Sequence, residues 1–143
     1  NTYKPDRVPK IALLGINPHA GDGGVLGYEE QEIIEPVLES FHNDPKVELS
    51  GPFPADAFFG RKQFLEYDVV LAAYHDQGLT PFKLWSMGKG VNCTLGLPFI
   101  RTSPDHGTAF DIVGKWEAEP DSMLEAYKVA LAYLSSPQKT DPI

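Results

Sequence analysis

His19 and His75 each stand a few residues beyond an apolar run. The first lies in Asn17-Pro18-His19-Ala20-Gly21-Asp22-Gly23-Gly24 and the second in Tyr74-His75-Asp76-Gln77-Gly78. A neutral imidazole binds zinc, manganese and similar divalent ions, and nearby carboxylates help to hold it. A histidine beside an acid also suits general acid–base work. Two histidines are short of the three protein ligands usual for a catalytic metal. Each also has a plainer reading: His19 as a turn cap, and Asp76 as a helix N-cap accepting amide hydrogen bonds. The glycines after His19 let the backbone approach a ligand and leave its amides unshielded. No Gly-Lys-Ser/Thr follows them and G-x-G-x-x-G is absent, so neither a Walker loop nor a dinucleotide fingerprint is present.

A second set consists of donors. Lys83 falls eight residues after His75, two helical turns along, with Asn92 and Arg101 beyond it. An arginine fork, an ammonium and an amide converging on one anion would suit a phosphate, whereas separately they are ordinary solvated side chains. The polar stretch from Asp105-His106-Gly107-Thr108-Ala109 to Lys115 reads as a turn into a short helix, able to offer amides to a nucleotide or simply a loop. His42 reads as a surface residue.

These residues need elements to hold them. Ile11–Ile16 is a short apolar run, as in a strand buried on both faces, and Asp68–Tyr74 is a second. Val47-Glu48-Leu49 alternates like a strand, Val91–Leu95 is another strand, and Phe99–Arg101 is a candidate edge strand. Glu29–Phe41 has Ile33, Ile34, Val37, Leu38 and Phe41 at helical spacing, with acids in its first turn. Ala55–Phe64 reads as a short helix or turn, and Asp121–Leu134 as a closing amphipathic helix. Alternating strands and helices predict an α/β fold with a mainly parallel sheet flanked by helices, whose ligands sit beyond the carboxyl ends of the strands. Residues 10–136 read as a single α/β domain, 1–9 as a terminal extension and 137–143 as a tail.

The chain has 143 residues, enough for one domain with a real core. Its net charge of -8 argues against nucleic acid or an anionic membrane as partner, while allowing a small anion at a local cluster of cations. No apolar run approaches the roughly 20 residues of a membrane span, and the first residues do not form a secretory signal. The single cysteine, Cys93, forms no internal disulfide, which fits a cytoplasmic location.

The motifs themselves go further. Asn17-Pro18-His19-Ala20-Gly21, Tyr74-His75-Asp76-Gln77-Gly78 and Thr94-Leu95-Gly96-Leu97-Pro98-Phe99-Ile100-Arg101-Thr102-Ser103 come in series, followed by Asp105-His106-Gly107-Thr108-Ala109. In order and spacing they resemble the 4-hydroxythreonine-4-phosphate dehydrogenase family, from about Lys10 to about Leu134. The resemblance implies an isocitrate/isopropylmalate dehydrogenase-like fold, here incomplete. It also implies oxidation and decarboxylation of a small phosphorylated substrate in pyridoxal phosphate synthesis. His19 and His75 match two of three histidines holding a divalent metal (zinc, magnesium, manganese or cobalt). Lys83, Asn92 and Arg101 match substrate contacts, and Asp56 and Asp76 match acids beside the reacting groups. His106, Gly107, Thr108 and Ala109 match the adenine side of an NAD or NADP site. The family is homodimeric, with an active site shared between subunits. Its members are much longer, with the third histidine in an N-terminal half, so the chain is expected to be a C-terminal piece that does not turn over substrate alone. Two alternatives remain: a dehydrogenase of a related four-carbon sugar-acid phosphate such as threonate or erythronate phosphate, and a catalytically inactive metal-binding or dimerisation fragment.

Overall fold

The computed structural model describes residues 7–135, so most of the expected terminal extension and all of the tail lie outside the described residues. The fold is α/β, with a parallel sheet flanked by helices. The chain divides into two compact units, Asn1–Pro81 and Phe82–Ile143.

In the first unit, β1 (Lys10–Leu14), β2 (Glu48–Phe53) and β3 (Val69–Leu71) form a parallel sheet in the order β2-β1-β3. Ile11 is aligned with Leu49 on one side and Val69 on the other. Parallel neighbours require crossovers. The first passes through Glu30–Ile34 into α1 (Glu35–Ser40), and the second through α2 (Ala55–Gly60). Glu29–Phe41 was expected to be one α-helix, yet its first turn is a π-helix. Pro36 accounts for this: it has no N–H for the carbonyl four residues back, and its ring crowds that carbonyl. The wider turn lets the Glu35 amide reach the Glu30 carbonyl instead.

Central β1 carries the core. Ala12 and Leu14 are fully buried with Phe58 of α2, and Phe53, Phe59, Phe64, Tyr67 and Val70 pack around them. Phe58 stacks on Phe53 at 5.3 Å between ring centres and meets Phe59 edge-on at 5.4 Å. Removing a buried ring of this kind costs about 3–5 kcal/mol, so Phe58 is what ties the short α2 to the sheet. The expected fully buried strand over Asp68–Tyr74 is corrected. β3 is three residues long and lies at the sheet edge; Val70 packs on the core, while Val69 and Leu71 are each 44% exposed.

In the second unit, β4 (Val91–Thr94) and β5 (Arg101–Pro104) pair antiparallel, with α4 (Asp121–Ser135) packed against them. This ribbon departs from the expected parallel arrangement. The expected edge strand shifts too: pairing starts at Arg101, opposite Thr94, and Leu95–Ile100 makes the connection. Ser122 of α4 is buried, donating to the Gly90 carbonyl and accepting from the Asp105 amide. α3 (His75–Ser86) begins directly after the loop that follows β3 and contains Pro81. Among the described residues, no helix is long and apolar enough to cross a membrane.

Candidate functional site

Because β2, β1 and β3 are parallel neighbours, their carboxyl ends share one edge of the sheet. The turn after β1 carries His19, α2 after β2 carries Asp56, and α3 after β3 opens with His75 and Asp76. All four are exposed. Asp56 and Phe58 are two residues apart on α2, so burial of the ring turns the carboxylate outward. Asp76 lies inside the first turn of α3 rather than capping it.

The turn that carries His19 is built around a buried carboxylate. Glu30 is 1% exposed, and its Oε1 accepts from the amides of Ile16 and Asn17, both at 2.7 Å. Its Oε2 accepts from Asn17 Nδ2 at 2.9 Å. Burial pushes the Glu30 carboxyl upward, but hydrogen bonds from the Asn17 amide and side chain and from the Ile16 amide outweigh it and hold the group below its ordinary value. Two glycines make room: a Cβ on Gly15 would lie 3.1 Å from Oε1, and one on Gly21 would lie 2.8 Å from Oε2. From His19 to Gly23 the backbone is left-handed throughout, with φ of 54° at His19, 52° at Ala20 and 44° at Asp22. L-residues other than glycine enter this region at an energetic cost, so tertiary contacts must hold the turn.

Gln77 does comparable work at the neighbouring strand. Its Nε2 donates to the Gly15 carbonyl at 2.6 Å and its Oε1 accepts from the Ala73 amide at 2.7 Å. The Gly15 amide in turn donates to the Phe53 carbonyl at 2.9 Å. Sequence reasoning missed both side chains. Glu30 was read only as an acid near a helix start, and Gln77 as a neighbour of the His-Asp pair; polar residues flanking apolar runs were the available signal.

In the second unit, Asn92 and Thr94 share one face of the ribbon with Ser103 and Arg101, their partners across the strands. Thr102 of the opposite face donates to the Ala126 carbonyl of α4. Asn92 and Arg101 are therefore brought to the same side of the ribbon, and Arg101 Nη1 donates to Thr94 Oγ1 at 2.7 Å. Lys83, in the last turn of α3, faces Asp105 at 3.4 Å. The lysine side chain is about half exposed and the Asp105 side chain 20% exposed, so the pair contributes little to stability. His106, Gly107, Thr108 and Ala109 form an exposed loop leading into a short 3-10 turn at Phe110–Ile112, with Ala109 left-handed.

His19, on the turn after β1, and His75, at the start of α3 after β3, carry imidazoles of the kind that suits a borderline divalent ion. Among the described residues, no group of three or more His, Cys, Asp or Glu side chains is arranged to hold a metal. An open cavity of about 700 Å³ lies against α1 and β2, lined by Glu35, Glu39, His42 and Glu48 among others, and contains none of these residues.

The family described as pyridoxal phosphate biosynthetic protein PdxA matches residues 4–130. The 4-hydroxythreonine-4-phosphate dehydrogenase of Prosthecochloris aestuarii is 55% identical over 122 residues, covering 85% of this chain and 36% of the relative. A crystal structure of the Klebsiella pneumoniae enzyme of that name superposes with a TM-score of 0.70 at 48% identity, covering 85% of this chain and 37% of its own. A terephthalate 1,2-cis-dihydrodiol dehydrogenase from Burkholderia xenovorans LB400 also superposes, with a TM-score of 0.62 at 36% identity over 86% of this chain and 38% of its own. The chain spans little more than a third of the length of these relatives. With its strand order, its loop motifs and most of its length accounted for in this way, the chain belongs to the pyridoxal phosphate biosynthetic protein PdxA family.

Proposed function

We propose that the chain is the C-terminal portion of an NAD(P)- and divalent-metal-dependent dehydrogenase. Its substrate is 4-phosphohydroxy-L-threonine, oxidised and then decarboxylated in pyridoxal phosphate biosynthesis. The names of the relatives support this reading. The observation that carries it is the delivery of His19, Asp56 and the His75-Asp76 pair to one edge of three adjacent parallel strands. The same proposal includes a cytoplasmic homodimer whose active site draws on both subunits.

A bound divalent metal would supply Lewis-acid stabilisation of negative charge on substrate oxygen, and a bound nicotinamide cofactor would supply the hydride acceptor. His19 and His75 would hold the ion through ring nitrogens. Asp76 or Asp56 takes the proton of the hydroxyl being oxidised. Lys83 and Arg101 bind the anionic ends of the substrate and Asn92 adds amide hydrogen bonds. The loop His106–Ala109 offers backbone amides to the adenine side of the cofactor.

In the complete protein, His75→Ala is expected to abolish both metal retention through dialysis and turnover. Activity at the wild-type level contradicts the assignment. The likeness to a solved structure named for a terephthalate dihydrodiol dehydrogenase shows that similarity at this level does not fix the substrate, so a related four-carbon sugar-acid phosphate stands as the second reading. Comparing kcat/KM for the candidate phosphates separates the two. Because the chain spans so little of its relatives' length, we further propose that alone it is catalytically inactive.

A further inference from the structure

We infer that Glu30 and Gln77 are positioning residues that set the turn bearing His19 and the helix start bearing His75 against each other through Gly15, an inference that rests on His19 and His75 being metal ligands. Gly15 is where the three strand ends are joined. Its amide is bonded to the end of β2 and its carbonyl to Gln77, and the Glu30 carboxylate occupies the space that a side chain on it would take.

Glu30 holds one side of this junction. A single carboxylate oxygen accepting two consecutive amides fixes the peptide between Ile16 and Asn17, and the second oxygen fixes the Asn17 side chain. His19 follows two residues later, at the start of the left-handed run. The left-handed turn is closed internally by bonds such as Ala20 amide to Asn17 carbonyl and Leu26 amide to Gly21 carbonyl, and the carboxylate bonds are what fix it to the end of β1. The helix start by itself does not call for a buried acid: Glu32 is exposed and serves the helix dipole from the surface, and Glu29, also exposed, shares the Asn17 side chain with Glu30 by accepting from Nδ2 at 2.6 Å.

Gln77 holds the other side. It lies two residues after His75 on the same helix and ties the Ala73 amide, just before that helix, to Gly15 at the end of β1. Both bonds are made by one buried amide group, so displacing it frees the start of α3 from the turn that carries His19. A buried carboxylate and a buried amide, each bonded to backbone at the strand ends, thus tie together the two segments that carry the exposed imidazoles.

The test is Co²⁺ binding by the complete protein, followed by ligand-field absorption, for the wild type and the variants His19→Ala, Glu30→Gln, Gln77→Met and Phe58→Leu. Glu30→Gln and Gln77→Met are expected to weaken Co²⁺ binding about tenfold or more and to change the absorption envelope of the bound ion. Phe58→Leu removes core volume beneath Leu14 and Phe53 without removing either tie to Gly15, and is expected to weaken Co²⁺ binding less than the two positioning variants and to leave the spectrum at wild type. Should Glu30→Gln fail to fold, Glu30→Asp keeps the charge but withdraws it by one methylene, and is read in the same way. Wild-type affinity and spectrum in both positioning variants, with Co²⁺ binding lost in His19→Ala, would overturn the positioning role and leave the ligand assignment intact. Equal weakening in Phe58→Leu would also overturn it, as general destabilisation. Unchanged binding in His19→Ala would remove the ligand assignment and the positioning role together.

Discussion

At the scale of single residues, the polar groups that matter for the architecture are those that bind backbone at the strand ends. Asp68 is one at the opposite edge of the sheet from Glu30. Its Oδ2 accepts from the Lys10 amide at 2.9 Å, and its two oxygens take the Arg7 guanidinium, so the start of β1 is tied to the start of β3. The Lys10 amide, and then Arg7, hold the Asp68 carboxyl below its ordinary value. A carboxylate whose folded value is lowered stabilises the fold fully above the unfolded value, and this contribution is lost as pH falls through the folded one. Asp68→Asn is therefore expected to melt below the wild type at neutral pH. The two midpoints should converge as pH drops below the carboxylate range, which calorimetry across pH would show. A constant difference at every pH would mean that the charge contributes nothing.

At the scale of elements, glycines decide where strands can approach. Gly51 has φ of 148° inside β2, and a Cβ there would run into the Leu13 carbonyl of β1, which is backbone and cannot turn aside. It lies where the pairing of β1 with β2 shifts register between Ala12 and Leu14. Gly51→Ala is expected to lower unfolding free energy by about 2 kcal/mol or more. Gly60, at the end of α2, has open space around its Cβ position and an ordinary φ. Gly60→Ala should be neutral or stabilise by about 0.5 kcal/mol through the unfolded chain. Denaturant midpoints of the pair check both statements. The same scale explains why helical periodicity over Glu29–Phe41 found the helix but not its π turn: the apolar spacing is insensitive to one missing amide, at Pro36.

At the scale of the whole molecule, the apolar surface left open is as informative as the core. α4 buries Ser122 and Ala126 toward the ribbon, yet Leu124, Tyr127, Leu131 and Leu134 form a stripe on its other side, with Tyr127 63% and Leu134 67% exposed. A helix apolar on both faces is unusual at a surface, and a contiguous patch of this kind binds apolar dyes. The folded chain is expected to enhance 8-anilinonaphthalene-1-sulfonate fluorescence, and Tyr127→Lys with Leu131→Lys to reduce the signal without changing helix content. A dye response unaltered by the double substitution would mean that the stripe is not the binding surface.

Local order along the chain was enough to read the strands from Ile11 and Val91, the α2 and α4 helices, and the motifs bearing His19, His75 and Arg101, because each is encoded in contiguous residues. Periodicity and turn chemistry act over one or two turns, and the motifs match a family word for word. Tertiary structure alone decided that β1 lies between β2 and β3, that β4 and β5 pair antiparallel, and that Asn92 and Arg101 face the same way. Those outcomes depend on partners tens of residues distant. It also decided the roles of Glu30 and Gln77, whose meaning comes from amides at Ile16, Asn17 and Ala73 and a carbonyl at Gly15 rather than from their own neighbours. A buried polar side chain is stable only where such partners converge, and convergence is a property of the folded chain.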